Sequence, residues 1–223
     1  MHTGQGRIIE LILQDGGRAA RVSCPTELIP APGQYLLAGD DSYAPLPVSL
    51  HFTDSAPGGF IVSPVPDLWV PGTEISLRGP LGNGFALPAS ARKVGLIALD
   101  GSSSRLRGLI LPALAQGAAV VFVSDSQVEN LPDEVEVQPL SALGEVVAWA
   151  DCAAFDVTRE NLPGWMERLR ELKQASTLKE AEILIRAPVP CGGIAECGVC
   201  AVVTKSGWKM ACKDGPVFAL REI

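Results

Sequence analysis

Histidine is almost missing from this chain. Among 223 residues only His2 and His51 carry an imidazole. No Ser-His-Asp set and no paired-carboxylate signature can be assembled, so acid–base chemistry on a substrate is expected to lie in a partner. His2 is expected in a frayed terminus, and His51 reads as a strand residue facing solvent. Positive charge is also short: 18 Lys and Arg stand against 25 Asp and Glu, a net charge of −7. That balance excludes a surface built to neutralise nucleic-acid phosphates. No apolar run reaches the ~18 residues of a membrane-spanning helix. The longest candidate, LRGLILPALAQGAAVVFV, is broken by Arg107, Pro112, Gln116 and Gly117. The N-terminal MHTGQGRIIELILQ has no cationic segment leading into an apolar stretch, so no export signal is expected and the cytoplasm is the expected compartment.

What the chain does concentrate is cysteine, near its C-terminus. Cys191, Cys197, Cys200 and Cys212 fall in CGGIAECGVCAVVTKSGWKMACKDGPVF, a C-x5-C-x2-C-x11-C pattern. Three thiols close together among small residues make a loop that wraps one metal centre, and the fourth returns after a hairpin-length excursion. Plant-type [2Fe–2S] sites use C-x4-C-x2-C with a further cysteine, and this is that pattern with one residue added. Gly192, Gly193 and Gly198 suit a loop that must turn sharply and aim N–H groups at sulfur. A structural zinc site also takes four thiolates, usually as two CxxC knuckles. Here only Cys197 and Cys200 form one. A disulfide framework needs an oxidising compartment, and nothing points to export. The remaining cysteines, Cys24 and Cys152, lie in apolar surroundings and read as small buried hydrophobes.

Two rhythms divide the rest. Up to about residue 90, short runs of β-formers alternate with turn signals: RIIELILQ, RAARVSC, QYLLAG, VSLHFT, FIVSPV and TEISLRG. Such spacing predicts a small antiparallel β-barrel. From about residue 92, buried-strand runs (KVGLIALD, AAVVFVSD, VEVQPL, AEILIRAP) alternate with helical stretches. SRLRGLILPALAQG has helical length and a C-cap at Gly117. EVVAWADCAAFDV reads as a helix followed by a strand. ENLPGWMERLRELKQ places Trp165, Leu169 and Leu172 on one helical face. This alternation predicts a three-layer α/β domain with a mainly parallel sheet. The expected divisions are 1–90, 91–189 and 190–223.

Ordered motifs over nearly the whole chain resemble the electron-transfer subunit of bacterial two-subunit dihydroorotate dehydrogenases, within the ferredoxin-reductase-like superfamily. Pro32-Gly33-Gln34-Tyr35 looks like the PGQ-aromatic strand start of the flavin barrel. Pro47-Val48-Ser49-Leu50 looks like the tail of the flavin motif R-P-x-S-[IL]. Gly79-Pro80-Leu81-Gly82-Asn83-Gly84-Phe85 matches the family's GPLGNGF turn in full, and Cys212-Lys213-Asp214-Gly215-Pro216-Val217-Phe218 is similar to the end of its cluster domain. The resemblance implies a flavin-type β-barrel, a Rossmann-like α/β domain and a [2Fe–2S] module ligated by Cys191, Cys197, Cys200 and Cys212. It implies FAD held by Pro47, Val48, Ser49, Ser63, Gly79 and Gly82. Ser49 would meet the isoalloxazine edge, with Tyr35 and Tyr43 as weaker stacking candidates beside a core-packing role. The partner it implies is an FMN-containing dihydroorotate dehydrogenase-type catalytic subunit of pyrimidine biosynthesis, or another flavin oxidoreductase subunit.

The chain departs from the pattern in three places. Leu46 stands where the flavin motif has an Arg that pairs with pyrophosphate. Pro64 and Pro66, in FIVSPVPDLWVPG, remove N–H donors that a phosphate would use, leaving Ser63 as a stand-in hydroxyl. Asp100-Gly101-Ser102-Ser103-Ser104 replaces a glycine-rich nucleotide loop, so NAD is not expected there. These departures favour an alternative, a paralogue without bound nucleotide that serves as a cluster-only relay or structural subunit.

Overall fold

The computed structural model describes residues 2–14, 17–40, 46–101, 104–174 and 178–223. Tyr43, Ser102 and Ser103 lie outside them. Six strands close a barrel: β1 (His2–Gln14), β2 (Gly17–Ser23), β3 (Tyr35–Gly39), β4 (Val48–Ala56), β5 (Gly59–Val62) and β6 (Glu74–Leu81), in the order β1-β2-β5-β4-β3-β6. All neighbours are antiparallel. Side chains alternate across each strand, so one phase fills the barrel. Leu36 and Ala38 of β3, Leu50 and Phe52 of β4, and Ile75 and Leu77 of β6 are buried in its core. The other phase points outward: Tyr35 and Leu37, Ser49 and His51, Ser76 and Arg78. Register sets these side by side, with Tyr35 opposite His51 and Leu37 opposite both Ser49 and Arg78.

The α/β domain follows: β7 (Lys93–Ala98), a 3-10 turn over Ser104–Leu109, α1 (Ile110–Ala115), β8 (Ala119–Val123), β9 (Val135–Gln138), α2 (Leu143–Trp149), β10 (Cys152–Thr158), α3 (Leu162–Gln174) and β11 (Glu180–Arg186). The helix expected after β7 thus begins as a 3-10 turn. It stops at Gly117, whose φ of +76° turns the chain so that the Ala118 N–H bonds back to the Ala113 carbonyl at 3.0 Å. Only a left-handed residue closes a helix end that way, which is why glycine sits there. In α3, Leu169 is buried and Trp165 and Leu172 pack against the same core, as the helical spacing predicts.

The sequence then leaves the sheet for the cysteine segment. This comprises a loop, the hairpin of β12 (Ala201–Thr204) and β13 (Gly207–Met210), and the single turn α4 (Ala211–Asp214). It returns as β14 (Val217–Ala219), which pairs antiparallel with β11 and completes a six-stranded sheet of order β14-β11-β10-β7-β8-β9. The strand running out of CKDGPVF is therefore an edge of the α/β sheet. Cys200, Val202, Ala211 and Cys212 join the same apolar cluster as Phe155, Ile185 and Phe218. Among the described residues, no helix is long and apolar enough to cross a membrane.

Candidate metal centre and cofactor cavity

The loop from Cys191 to Cys197 is wound tightly. Gly192, Gly193 and Ala195 have φ of +66°, +80° and +62°. Three left-handed residues in so short a span turn successive N–H groups inward. The N–H groups of Gly193, Ile194 and Ala195 hydrogen-bond to the Cys191 sulfur, and the Cys197 thiol donates to it as well. Desolvation of Cys191 raises its pKa, but the four donors together outweigh it and bring the thiol down to about 6. The second pair is Cys200 and Cys212, both buried and hydrogen-bonded to each other. Burial first, then the Cys200 bond and the nearby Cys200 and Cys191 charges, push Cys212 up to about 12, against the pull of the Ala195 N–H. That N–H serves both Cys191 and Cys212, and so joins the two pairs. Among the described residues no three Cys, His, Asp or Glu side chains gather about a single point. The thiols meet as two pairs, Cys191 with Cys197 and Cys200 with Cys212. Glu196, between them in sequence, is exposed.

Both domains hold this loop. Arg78 of β6 donates to the Gly192 carbonyl, and Arg159, just after β10, donates to the Val199 carbonyl. The Tyr35 hydroxyl donates to the Cys212 carbonyl at 3.2 Å. Burial raises the Tyr35 pKa, and the Cys212, Cys200 and Cys191 charges raise it further, with Arg78 opposing. Tyr35 is thus neutral and works as a donor. Sequence reasoning missed both arginines, because an isolated Arg carries no spacing signal.

The GPLGNGF turn is explained by the same module. The Asn83 N–H donates to the Gly215 carbonyl at 2.6 Å, and Asn83 Nδ2 donates to the Asp214 carbonyl at 2.7 Å. A Cβ on Gly82, at φ +75°, would lie 2.4 Å from Pro216 Cδ and 2.7 Å from the Gly215 oxygen. The two most specific motifs of the sequence are therefore two sides of one contact. Gly79 packs on Leu36 and the Tyr35 carbonyl.

The other residues expected at flavin separate. Pro47 and Val48 line a cavity of about 940 Å³. Leu37, Leu46, Arg78 and Trp69 also line it, Leu46 being 54% exposed, and Cys191 and Gly192 form one wall. This cavity abuts the cysteine loop. Ser49 is not among its lining residues, and Ser63 is buried beside Gly17. Between barrel and α/β domain, where Tyr35, His51, Ile185, Ala187 and Pro216 meet, only about 10 Å³ remains. A flavin ring does not fit there. The 940 Å³ cavity has room for one. Arg78 is its only basic lining residue among those described, and it is already bonded to Gly192. The cavity thus suits a ring better than a diphosphate.

His51 corrects the solvent-facing expectation. It lies on the outer phase of the barrel, but the α/β domain covers that side. Its ring rests on Tyr35, centroids 5.5 Å apart, and its Nδ1 is buried without a hydrogen-bond partner among the described residues. Burial first, then Arg105 and Arg186, hold it well below the usual imidazole range, so it is neutral. Cys152 is buried, and Cys24 packs against the barrel core.

Comparison with known proteins agrees with this geometry. Residues 191–223 match the iron–sulfur cluster binding domain of dihydroorotate dehydrogenase B. Sulfhydrogenase 1 subunit gamma of Pyrococcus furiosus is 25% identical over 86% of this chain and 80% of its own length. In fold, the chain is similar to the NADH-dependent reduced ferredoxin-NADP oxidoreductase studied for flavin-based electron bifurcation. The TM-score is 0.76 at 17% identity, over 99% of this chain and 90% of that one. A ferredoxin NADP+ reductase from Neisseria gonorrhoeae, solved with FAD and NADP, gives a TM-score of 0.56 at 10% identity, over 77% and 92%. The chain therefore has the fold of a ferredoxin reductase, a barrel followed by a parallel α/β sheet, and its last segment is similar to the iron–sulfur cluster binding domain of dihydroorotate dehydrogenase B.

Proposed function

We propose that this chain relays single electrons to or from a flavin oxidoreductase partner through a [2Fe–2S] cluster ligated by Cys191, Cys197, Cys200 and Cys212. The observation that carries the reading is the meeting of the four thiols as two pairs around the Ala195 N–H. When bound, such a cluster supplies one-electron chemistry. The protein's part is to set its surroundings. The N–H groups of residues 193 to 195 stabilise negative charge on the outer pair. The apolar core behind Cys200 and Cys212 excludes water from the inner pair. The hairpin beside the cluster presents Val203 and Trp208, a cross-strand pair exposed by 60% and 69%, as an apolar surface for the partner. The resemblance favours a dihydroorotate dehydrogenase-type subunit with FMN, and hence pyrimidine biosynthesis.

FAD belongs to this proposal through the cavity that Pro47 and Val48 line, because Cys191 forms its wall and electrons need only a short path. A second reading, the cluster-only relay, is favoured by Leu46 in the lining of that cavity and by the lack of an uncommitted lining cation among the described residues. Anaerobic purification with any co-purifying partner, followed by iron, sulfide and flavin assays and EPR of the reduced protein, tests both. Two irons per chain with a rhombic EPR signal support the cluster, and flavin at one equivalent supports FAD. Zinc in place of iron would refute the electron-transfer reading.

A further inference from the structure

We propose that Asp100 is a built-in occupant of the nucleotide crevice of the α/β domain, taking the donors that a phosphate would take, so that this chain does not bind NADH or NADPH. In open α/β sheets ligands bind outside the C-terminal ends of the strands, where the strand order reverses direction. Here the reversal lies between β7 and β10, with β8 and β9 on one side and β11 on the other. Asp100 follows β7 by two residues. Its carboxylate leans across the crevice to the ends of β10 and β11. Asp100 Oδ2 accepts from the Thr158 N–H at 2.7 Å, from Thr158 Oγ1 at 2.7 Å and from Asn161 Nδ2 at 3.0 Å. Asp100 Oδ1 accepts from Arg186 Nη2. A backbone N–H, a hydroxyl, an amide and a guanidinium, gathered just before α3, form the donor set of an anion site. In this chain they are spent on an internal carboxylate.

The charges around it close the site further. Arg186 Nε donates to Asp156 Oδ1 at 2.6 Å, and Arg105 Nη1 lies 3.7 Å from Asp156 Oδ2. The Asp100, Arg186, Arg105 and Asp156 side chains are only 10%, 17%, 8% and 0% exposed. Within this group two carboxylates and two guanidiniums sum to zero formal charge, so an incoming pyrophosphate meets two anions and finds Arg105 and Arg186 already paired. The chain also re-forms after β7 as the 3-10 turn Ser104–Leu109, whose six residues are all buried.

Two measurements on the full-length, cluster-loaded chain test this. Calorimetric titration of the wild type with NADH and with NADPH should show no binding up to about 1 mM, whereas a dissociation constant in the micromolar range would overturn the proposal. The second uses Asp100→Ala, which frees the four donors, with inorganic phosphate as probe. Urea unfolding should give a lower midpoint than wild type, recovered selectively by phosphate against chloride at equal ionic strength. At ten times its dissociation constant, phosphate should raise the folded-to-unfolded ratio of the variant about elevenfold and leave the wild type unchanged. If the variant does not fold without phosphate, its refolding yield as a function of phosphate gives the same reading. An Asp100→Ala chain whose stability or refolding ignores phosphate would overturn the stand-in role of Asp100.

Discussion

The contact between the GPLGNGF turn and the cysteine module can be broken by a single methyl group. Gly82→Ala puts a Cβ 2.4 Å from Pro216 Cδ and 2.7 Å from the Gly215 oxygen. Neither neighbour is the free end of a flexible side chain, so backbone must move. The left-handed conformation at φ +75° costs an alanine about 1–2 kcal/mol. Overpacking of a tight contact adds about 1–3 kcal/mol. A total of about 2–5 kcal/mol follows, and it falls on the segment carrying Cys212, since Asn83 bonds to Asp214 and Gly215. Gly58→Ala is the matched control: φ is +68° there, with nothing within 4 Å of the added Cβ, so only the conformational cost of about 1–2 kcal/mol applies. Urea unfolding and iron content of the two purified variants provide the assay. Gly82→Ala should lose at least about 1 kcal/mol more than the control and should hold less iron. Equal stabilities with full iron in both would refute the idea that the turn exists to seat the cysteine module.

Three further outcomes follow from the same geometry. Leu46→Arg supplies a further cation to the cavity lining; a charge-assisted bond of about 1.5–3 kcal/mol should tighten FAD by roughly 10- to 150-fold in reconstitution, and no gain would remove flavin from the proposal. Burial and then Glu27 raise Cys24 to about 11, while burial and then Glu182, Asp151 and Glu180 raise Cys152 to about 12. Since both pKa values are raised, the reactive thiolates are scarce below them: at pH 8 roughly one Cys24 in a thousand and one Cys152 in ten thousand are ionised, so iodoacetamide should spare both until the pH approaches 11, as mass spectrometry of the folded protein can check. Replacing Val203 and Trp208 together with serine should leave the iron content and visible spectrum intact while abolishing co-elution with a partner subunit, and retained co-elution would move the interface elsewhere.

Periodicity and punctuation made much of the fold legible. Alternating β-formers between Pro and Gly turns forecast the barrel, and longer apolar runs alternating with helical spacing forecast the parallel sheet. These are local signals, because burying one face of a strand or helix writes its own period into the chain. The cysteine spacing was equally local, as a loop around one centre needs its ligands and its glycines close together. What local pattern did not carry was contact between distant segments. β14 lies within the cysteine-rich stretch by sequence yet belongs to the α/β sheet, since only the paired β11 edge decides where a three-residue strand goes. His51 reads as a surface residue from β4 alone, and it is covered because a second domain packs on that face. The glycines of GPLGNGF pointed to a close approach but not to its object, which is Gly215-Pro216 rather than a cofactor.

The sequence by itself determined the three-part order of the chain, the identity of the four clustered thiols and the presence of Leu rather than a cation at position 46, because each is a matter of residue type and local spacing. Tertiary structure alone decided that the thiols meet as two pairs, that Arg78 and Arg159 clamp their loop, and that Asp100 turns inward to Thr158, Asn161 and Arg186. Those outcomes join groups tens of residues apart, and the energy of a hydrogen bond or ion pair depends on ångström distances and on burial, which no spacing along a chain encodes.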